Sequence, residues 1–214
     1  MACAARTSGA FAGGVHIAVG TLQVGDGGSS GTLGSGAVTD DAALVFDRSD
    51  SAYVVSNTIG GSGSLTMAGS GVLTLSGANT YAGETAVAGG VLKLDADNAL
   101  PATTVLRIGD ATLGSGILDL NGHNLTLAGL YTGAEGPSHS AFWDEVTNTS
   151  ATPATLTIVN SADYLYAGHF AGNLSLAKYG AGRFTVGGVS TNYGDVAAGL
   201  DRNLANCQQL SLLA

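Results

Sequence analysis

Carboxylates with chemical potential are few in this chain, and the reaction they would suit is cleavage of a polysaccharide. Asp95 and Asp97 stand two residues apart, and Asp119 could lie beside a stacked acid. Such cleavage needs one carboxyl that gives a proton and another that acts as base or nucleophile, often with a Lys or Arg in the same groove. Asp95-Ala-Asp97-Asn98 follows directly on an apolar run, however, and has the composition of a solvated turn. Only seven Lys and Arg occur among 214 residues, too few for a convincing lyase groove. No catalytic residue is assigned, the expectation is a protein that is not an enzyme, and a carbohydrate-active one is kept as the alternative.

Metal and cofactor chemistry fare no better. Gly25-Asp-Gly-Gly28 resembles one fragment of a Gly/Asp calcium repeat, but it does not recur in tandem, and calcium needs six to eight convergent oxygens. His16, His123, His139 and His169 show no ligand spacing. The Gly-rich pieces follow strand-like runs and lead into further such runs, so they fit neither a phosphate loop nor a dinucleotide fingerprint. No metal and no cofactor are expected. Cys3 and Cys207 lie near opposite chain ends and are expected to be free thiols. Outward Thr66, Thr74, Thr126, Thr157 and Thr185 occur one per run, without the paired Thr-x-Thr array of an ice-binding face.

Sixteen acidic residues against seven basic give a net charge of −9, which removes the basic stripe that nucleic acid requires. No run approaches the roughly 18 uninterrupted apolar residues of a membrane helix, so direct membrane insertion is not expected. Residues 1–12 lack the apolar stretch of a signal peptide, so a signal and an anchor are expected outside this chain.

What must position any site is short β-structure. Thirty-four glycines and 11% charged residues accompany 45% hydrophobic residues, enough for a core. Leu22-Gln-Val24, Leu65-Thr-Met67, Leu73-Thr-Leu75, Leu92-Lys-Leu94, Leu125-Thr-Leu127, Leu156-Thr-Ile158 and Phe184-Thr-Val186 alternate apolar and polar positions. Period two puts one set inside and the other outside. Glycine interrupts nearly every window long enough for a helix.

Internal repeats organise these runs. Phe11 to Val24 matches Tyr81 to Leu94 at a constant offset of 70 residues, with identities at Ala12/Ala82, Gly13/Gly83, Ala18/Ala88, Gly20/Gly90 and Leu22/Leu92. Ser64 to Gly77 matches Asn173 to Gly188 after a two-residue insertion, and Leu33-Gly-Ser-Gly36 matches Leu113-Gly-Ser-Gly116. Strands too short to fold alone can stack as coils of a solenoid, bonded above and below at about 4.8 Å. At roughly 20–25 residues per coil the chain would make about nine.

Leu73 to Pro101, with its Ser76-Gly-Ala-Asn-Thr-Tyr81 core, resembles the autotransporter-associated β-strand repeat of type V secreted and other bacterial surface proteins. The likeness extends to Gly20–Gly28, Leu118–Leu130 and Asn173–Gly188. It implies an all-β, right-handed parallel β-helix in a passenger region at the bacterial surface or outside the cell. There it would serve as stalk, adhesin or biofilm component, and it carries no catalytic residues.

The repeat region is read as 1–198. Its insertion, 131–150, holds the only Trp and the acidic pair Asp144-Glu145. Insertions on a solenoid project from one side, so His139, Trp143, Asp144 and Glu145 are the candidate ligand contacts, and a carbohydrate-binding accessory module is a further alternative. Expected partners are host or bacterial surface glycans, or further copies of the chain. The tail, 199–214, has Leu200, Leu204, Cys207 and Leu210 or Ser211 at helical spacing, compatible with a short capping helix or with a frayed end.

Overall fold

Alternating runs bury one face each, and the chain satisfies all of them by winding. The computed structural model describes residues 2–5, 13–134, 140–187 and 210–212, with 2–5, 210–212 and Phe142 known by backbone alone. It is a parallel β-solenoid of about eight turns with essentially no helix. A single 3-10 turn, Ala141–Trp143, interrupts the strands among the described residues.

Three sides stack along the axis. One side is a seven-stranded sheet of Ala2–Ala5, Thr21–Gly28, Ala43–Arg48, Ser64–Met67, Thr85–Val87, Val105–Ile108 and Gly129–Thr132. Tyr164–Tyr166 lies next along it, followed by Phe184–Val186 and Leu210–Leu212. The second is a six-stranded sheet from Tyr53–Val55 through Val72–Leu75, Gly90–Leu94, Gly116–Asp119 and Glu145–Asn148 to His169–Gly172. The third side carries Val15–Ile17, Val38–Asp40 and Ile59–Gly60 at one end, and Leu125–Leu127, Ala154–Val159 and Leu174–Tyr179 at the other. Between these the third side continues without regular strand, with Thr80 N donating to Ile59 O and Asn98 N to Asn124 O.

Register places like on like. Val24, Phe46, Met67, Val87 and Ile108 form one inward column, and Leu73, Leu92, Leu118, Val146 and Phe170 another; all are buried. These columns merge into one apolar core along the rod.

The Asn-Thr-Tyr element has a definite job in this stack. Asn79 is buried, its Oδ1 accepts from Ile59 N at 2.9 Å, and its Nδ2 donates to Ala99 O at 2.7 Å. One side chain thereby ties the coil below to the coil above. Tyr81 is wholly buried, and its hydroxyl shares a 2.6 Å hydrogen bond with Thr85 Oγ1. Gly83 follows because a Cβ there would collide with the carbonyl of Gly63.

Coil lengths vary. Leu22 pairs with Leu44 and Leu65 with Thr85, spacings of 22 and 20 residues, while Val105 pairs with Gly129 at 24. From Gly129 to Tyr164 the chain spends 35 residues. The sequence-related pairs also fall on different sides: Leu22 is in the seven-stranded sheet and its partner Leu92 in the six-stranded one. The three coils that follow Leu22 end at Thr85, 63 residues on, so an offset of 70 overshoots the same side and the likeness is one of strand-and-corner texture and not of position around the rod.

In the C-terminal tail, 199–209 and 213–214 lie outside the described residues, so the capping helix can be set only against 210–212. Those three residues are strand, paired in parallel with Phe184–Val186. An apolar-polar-apolar Leu-Ser-Leu triplet suits the open end of a sheet, where strand pairing satisfies backbone groups that a helix would leave exposed.

Candidate functional site

Two of the three sequence-derived carboxylates hold corners. Asp119 is buried, its Oδ1 accepting from Asn121 N and Thr149 N and its Oδ2 from Thr149 Oγ1 at 2.7 Å. Its other neighbour is Lys93 at 3.8 Å. Asp97 Oδ1 accepts from Asn124 N at 3.0 Å, and that bond leads the causes that lower its pKa. Asp95 is exposed on the same turn.

Of the four insertion candidates, Trp143, Asp144 and Glu145 fall among the described residues. The flanks of the insertion, Gly129–Thr132 and Glu145–Asn148, are ordinary strands of the stack. His139 lies outside the described residues. Trp143 is 66% exposed, whereas Asp144 is wholly buried and accepts from Gly116 N at 3.2 Å. Glu145 faces His169 of the next coil at 3.4 Å. Similar pairs recur at His16–Asp41 and His123–Asp97, each bridging neighbouring coils. Among the described residues no three His, Cys, Asp or Glu side chains gather as a metal site would require. Of the five outward threonines, only Thr126 and Thr157 are register neighbours, so no flat Thr array forms.

A cleft does form, and the residues that make it were not singled out by motif. It lies on the outer surface of the seven-stranded side, with a volume near 410 Å³. Tyr131 and Tyr164 wall it, their rings 6.2 Å apart and 23° from parallel. Ala82, Gly83, Glu84, Thr103 and Val105 complete the lining. Tyr131 donates to Glu84 Oε2 at 2.7 Å across two coils, and Arg107 Nε donates to Oε1 at 3.2 Å. Arg107 is fixed in turn by Gly109 O and by Asp110 Oδ2 at 3.1 Å. Burial, followed by the Glu84 carboxylate, pushes the Tyr131 phenol up to about 12. Backbone and hydroxyl donors of Thr112 hold Asp110 down at about 2. Tyr164 lies over Gly129, where any Cβ would strike its ring. The one sequence signal for this cleft was the placing of Arg107 and Tyr131 at outward positions whose register neighbours Thr66 and Ala86 are small.

Residues 65–94 match the family described as the passenger-associated-transport-repeat, as the resemblance at Leu73–Pro101 led one to expect. That match covers the coils tied by Asn79 and plugged by Tyr81. The chain is also 43% identical over 97 residues to the adhesin BmaC autotransporter of Brucella suis biovar 1 (strain 1330). That similarity takes in 45% of this chain and 3% of the relative, so the chain spans a small fraction of the length of the curated protein it matches. No solved structure matches the chain.

Proposed function

We propose that this chain is an extracellular structural and adhesive segment of an autotransporter-type passenger, located at the bacterial surface or released from it. The observation that carries it is that the transport-repeat match, residues 65–94, falls on fully formed coils of the solenoid. The similarity to a protein named as an autotransporter adhesin points the same way. A solenoid suits the role because each coil contacts only its neighbours, so a long rod can grow by addition.

The role is not enzymatic. Asp97 and Asp119, two of the three acids suggested by sequence, are engaged in hydrogen bonds between coils, which argues against a free acid and base pair. Beads coated with the full chain should adhere to epithelial cells or to one another several-fold more than uncoated beads. Adherence to neither would remove the adhesive part of the proposal. Incubation with a panel of polysaccharides should release no new reducing ends, and their release would establish the enzyme alternative.

A further inference from the structure

We infer that the cleft between Glu84, Tyr131 and Tyr164 is a binding subsite for a neutral hexopyranose glycan. The inference deepens the adhesive proposal by giving it a ligand class and an address.

Shape comes first. The cleft is an open depression whose volume falls in the range of small-ligand pockets, and it combines aromatic walls with a few polar groups. A pyranose presents one face of C–H groups and a rim of hydroxyls. The C–H face suits the electron-rich face of a tyrosine ring. Both tyrosines are half-buried, so part of each ring faces solvent.

Rigidity comes second. Tyr131 is pinned by its hydrogen bond to Glu84, Glu84 by Arg107, and Arg107 by Asp110 and Gly109 O. Tyr164 is seated over Gly129, where the missing side chain leaves room for the ring. Groups held this way before the ligand arrives lose little freedom on binding. Carboxylate oxygens have several lone pairs each, so Glu84 can accept sugar hydroxyls beside the two bonds it already receives.

Charge selects the class. Glu84 and Asp110 against Arg107 leave one net negative charge at the cleft, on a chain whose total is −9. Uronates, sialylated chains and nucleotides would be repelled, although a nucleobase could stack on the same rings. The lining holds a single carboxylate, Glu84, which fits binding and not hydrolysis.

The test is calorimetry and array binding of the purified full chain against neutral gluco- and manno-oligosaccharides, with oligogalacturonate and chitosan oligomers as acidic and cationic comparisons. Neutral oligosaccharides should bind, and Tyr164→Ala should weaken them by about tenfold or more, a loss of the size expected for one stacked ring or charged hydrogen bond. Glu84→Gln keeps the shape of the cleft and should weaken binding several-fold. It remains informative if Tyr164→Ala loses its β-sheet circular dichroism. Trp143→Ala should leave affinity unchanged. Absence of neutral-glycan binding by the folded chain, binding that survives both cleft variants, or binding lost through Trp143→Ala would each overturn the inference. Bead adhesion without glycan binding would sink the cleft and spare the adhesive proposal; glycan binding without bead adhesion would do the reverse.

Discussion

Asp40 brings a carboxylate to a place where water does not reach. It is wholly buried at the end of Val38–Asp40; one oxygen accepts from Ala42 N at 3.1 Å, and the other has no hydrogen-bond partner. Gly63 leaves the space the carboxylate fills, since a Cβ there would overlap it. Desolvation raises its pKa, with the neighbouring Asp41 charge adding to the effect. A carboxyl whose folded pKa lies above its unfolded value makes folding less favourable while ionised, and that penalty fades as pH falls through the folded value. Asp40→Asn keeps the acceptor for Ala42 and removes the charge. Its expected effect in urea unfolding at pH 7 is stabilisation on the order of 1 kcal/mol, because the buried charge goes while the amide Nδ2 still lacks a partner, shrinking toward zero at pH 4. Equal or lower stability at pH 7 would mean that the ionised carboxylate has a compensating partner.

Strands here earn their place through one face only. Leu92 is wholly buried between Leu73 and Leu118, whereas Thr66, between Val45 and Ala86, points outward. Leu92→Ala removes packing from both neighbouring coils and should cost about 2–5 kcal/mol, while Thr66→Ala should stay within about 0.5 kcal/mol. Comparable losses from both, read by thermal or urea unfolding, would contradict the assignment of faces. Not every inward position is apolar. Thr85 sits between Leu65 and Leu106 in the core column, tolerated because Tyr81 and Thr104 hydroxyls satisfy it at 2.6 and 3.0 Å. Unlike Asp40, these hydroxyls enter the core as a connected network, which offsets the cost of burying them.

As a whole the molecule is an acidic rod whose corners depend on carboxylates. Asp41, Asp50, Asp97 and Asp110 all have lowered pKa values, for which hydrogen bonds are the leading cause: His16 for Asp41, Arg48 for Asp50, and backbone N–H groups for Asp97 and Asp110. A folded pKa below the unfolded one contributes stability that is present above the ordinary carboxylate value and lost as pH falls through the folded one. The melting temperature should therefore change little from pH 7 to about 5 and fall below about 4, as these corner carboxylates protonate. A melting temperature that stays level to pH 2, where Asp110 itself titrates, would show that the corner carboxylates contribute nothing net. Because backbone pairing joins each coil to its neighbours alone, acid would loosen the rod locally, and hydrogen exchange would begin at the corners.

The sequence by itself determined the local grammar. Period-two runs such as Leu92-Lys-Leu94 specify strands with one buried face, glycine forbids helices, and strands this short must stack to hide that face. The parallel solenoid and its likeness to passenger repeats followed from that, and the buried roles of Asn79 and Tyr81 account for the motif that carried the likeness. Which side of the rod each run would occupy was not legible, as Leu22 and Leu92 show by landing in different sheets. That depends on the residues spent in each corner, which vary from coil to coil and leave no local signature. The same register decided that Asp144 would be locked to Gly116 while Trp143 stayed exposed. It also brought Glu84 within reach of Tyr131, 47 residues on, with Tyr164 beside it over Gly129. A cleft assembled from separate coils exists only once the winding is fixed, because each of its residues alone is an ordinary outward side chain on an ordinary strand.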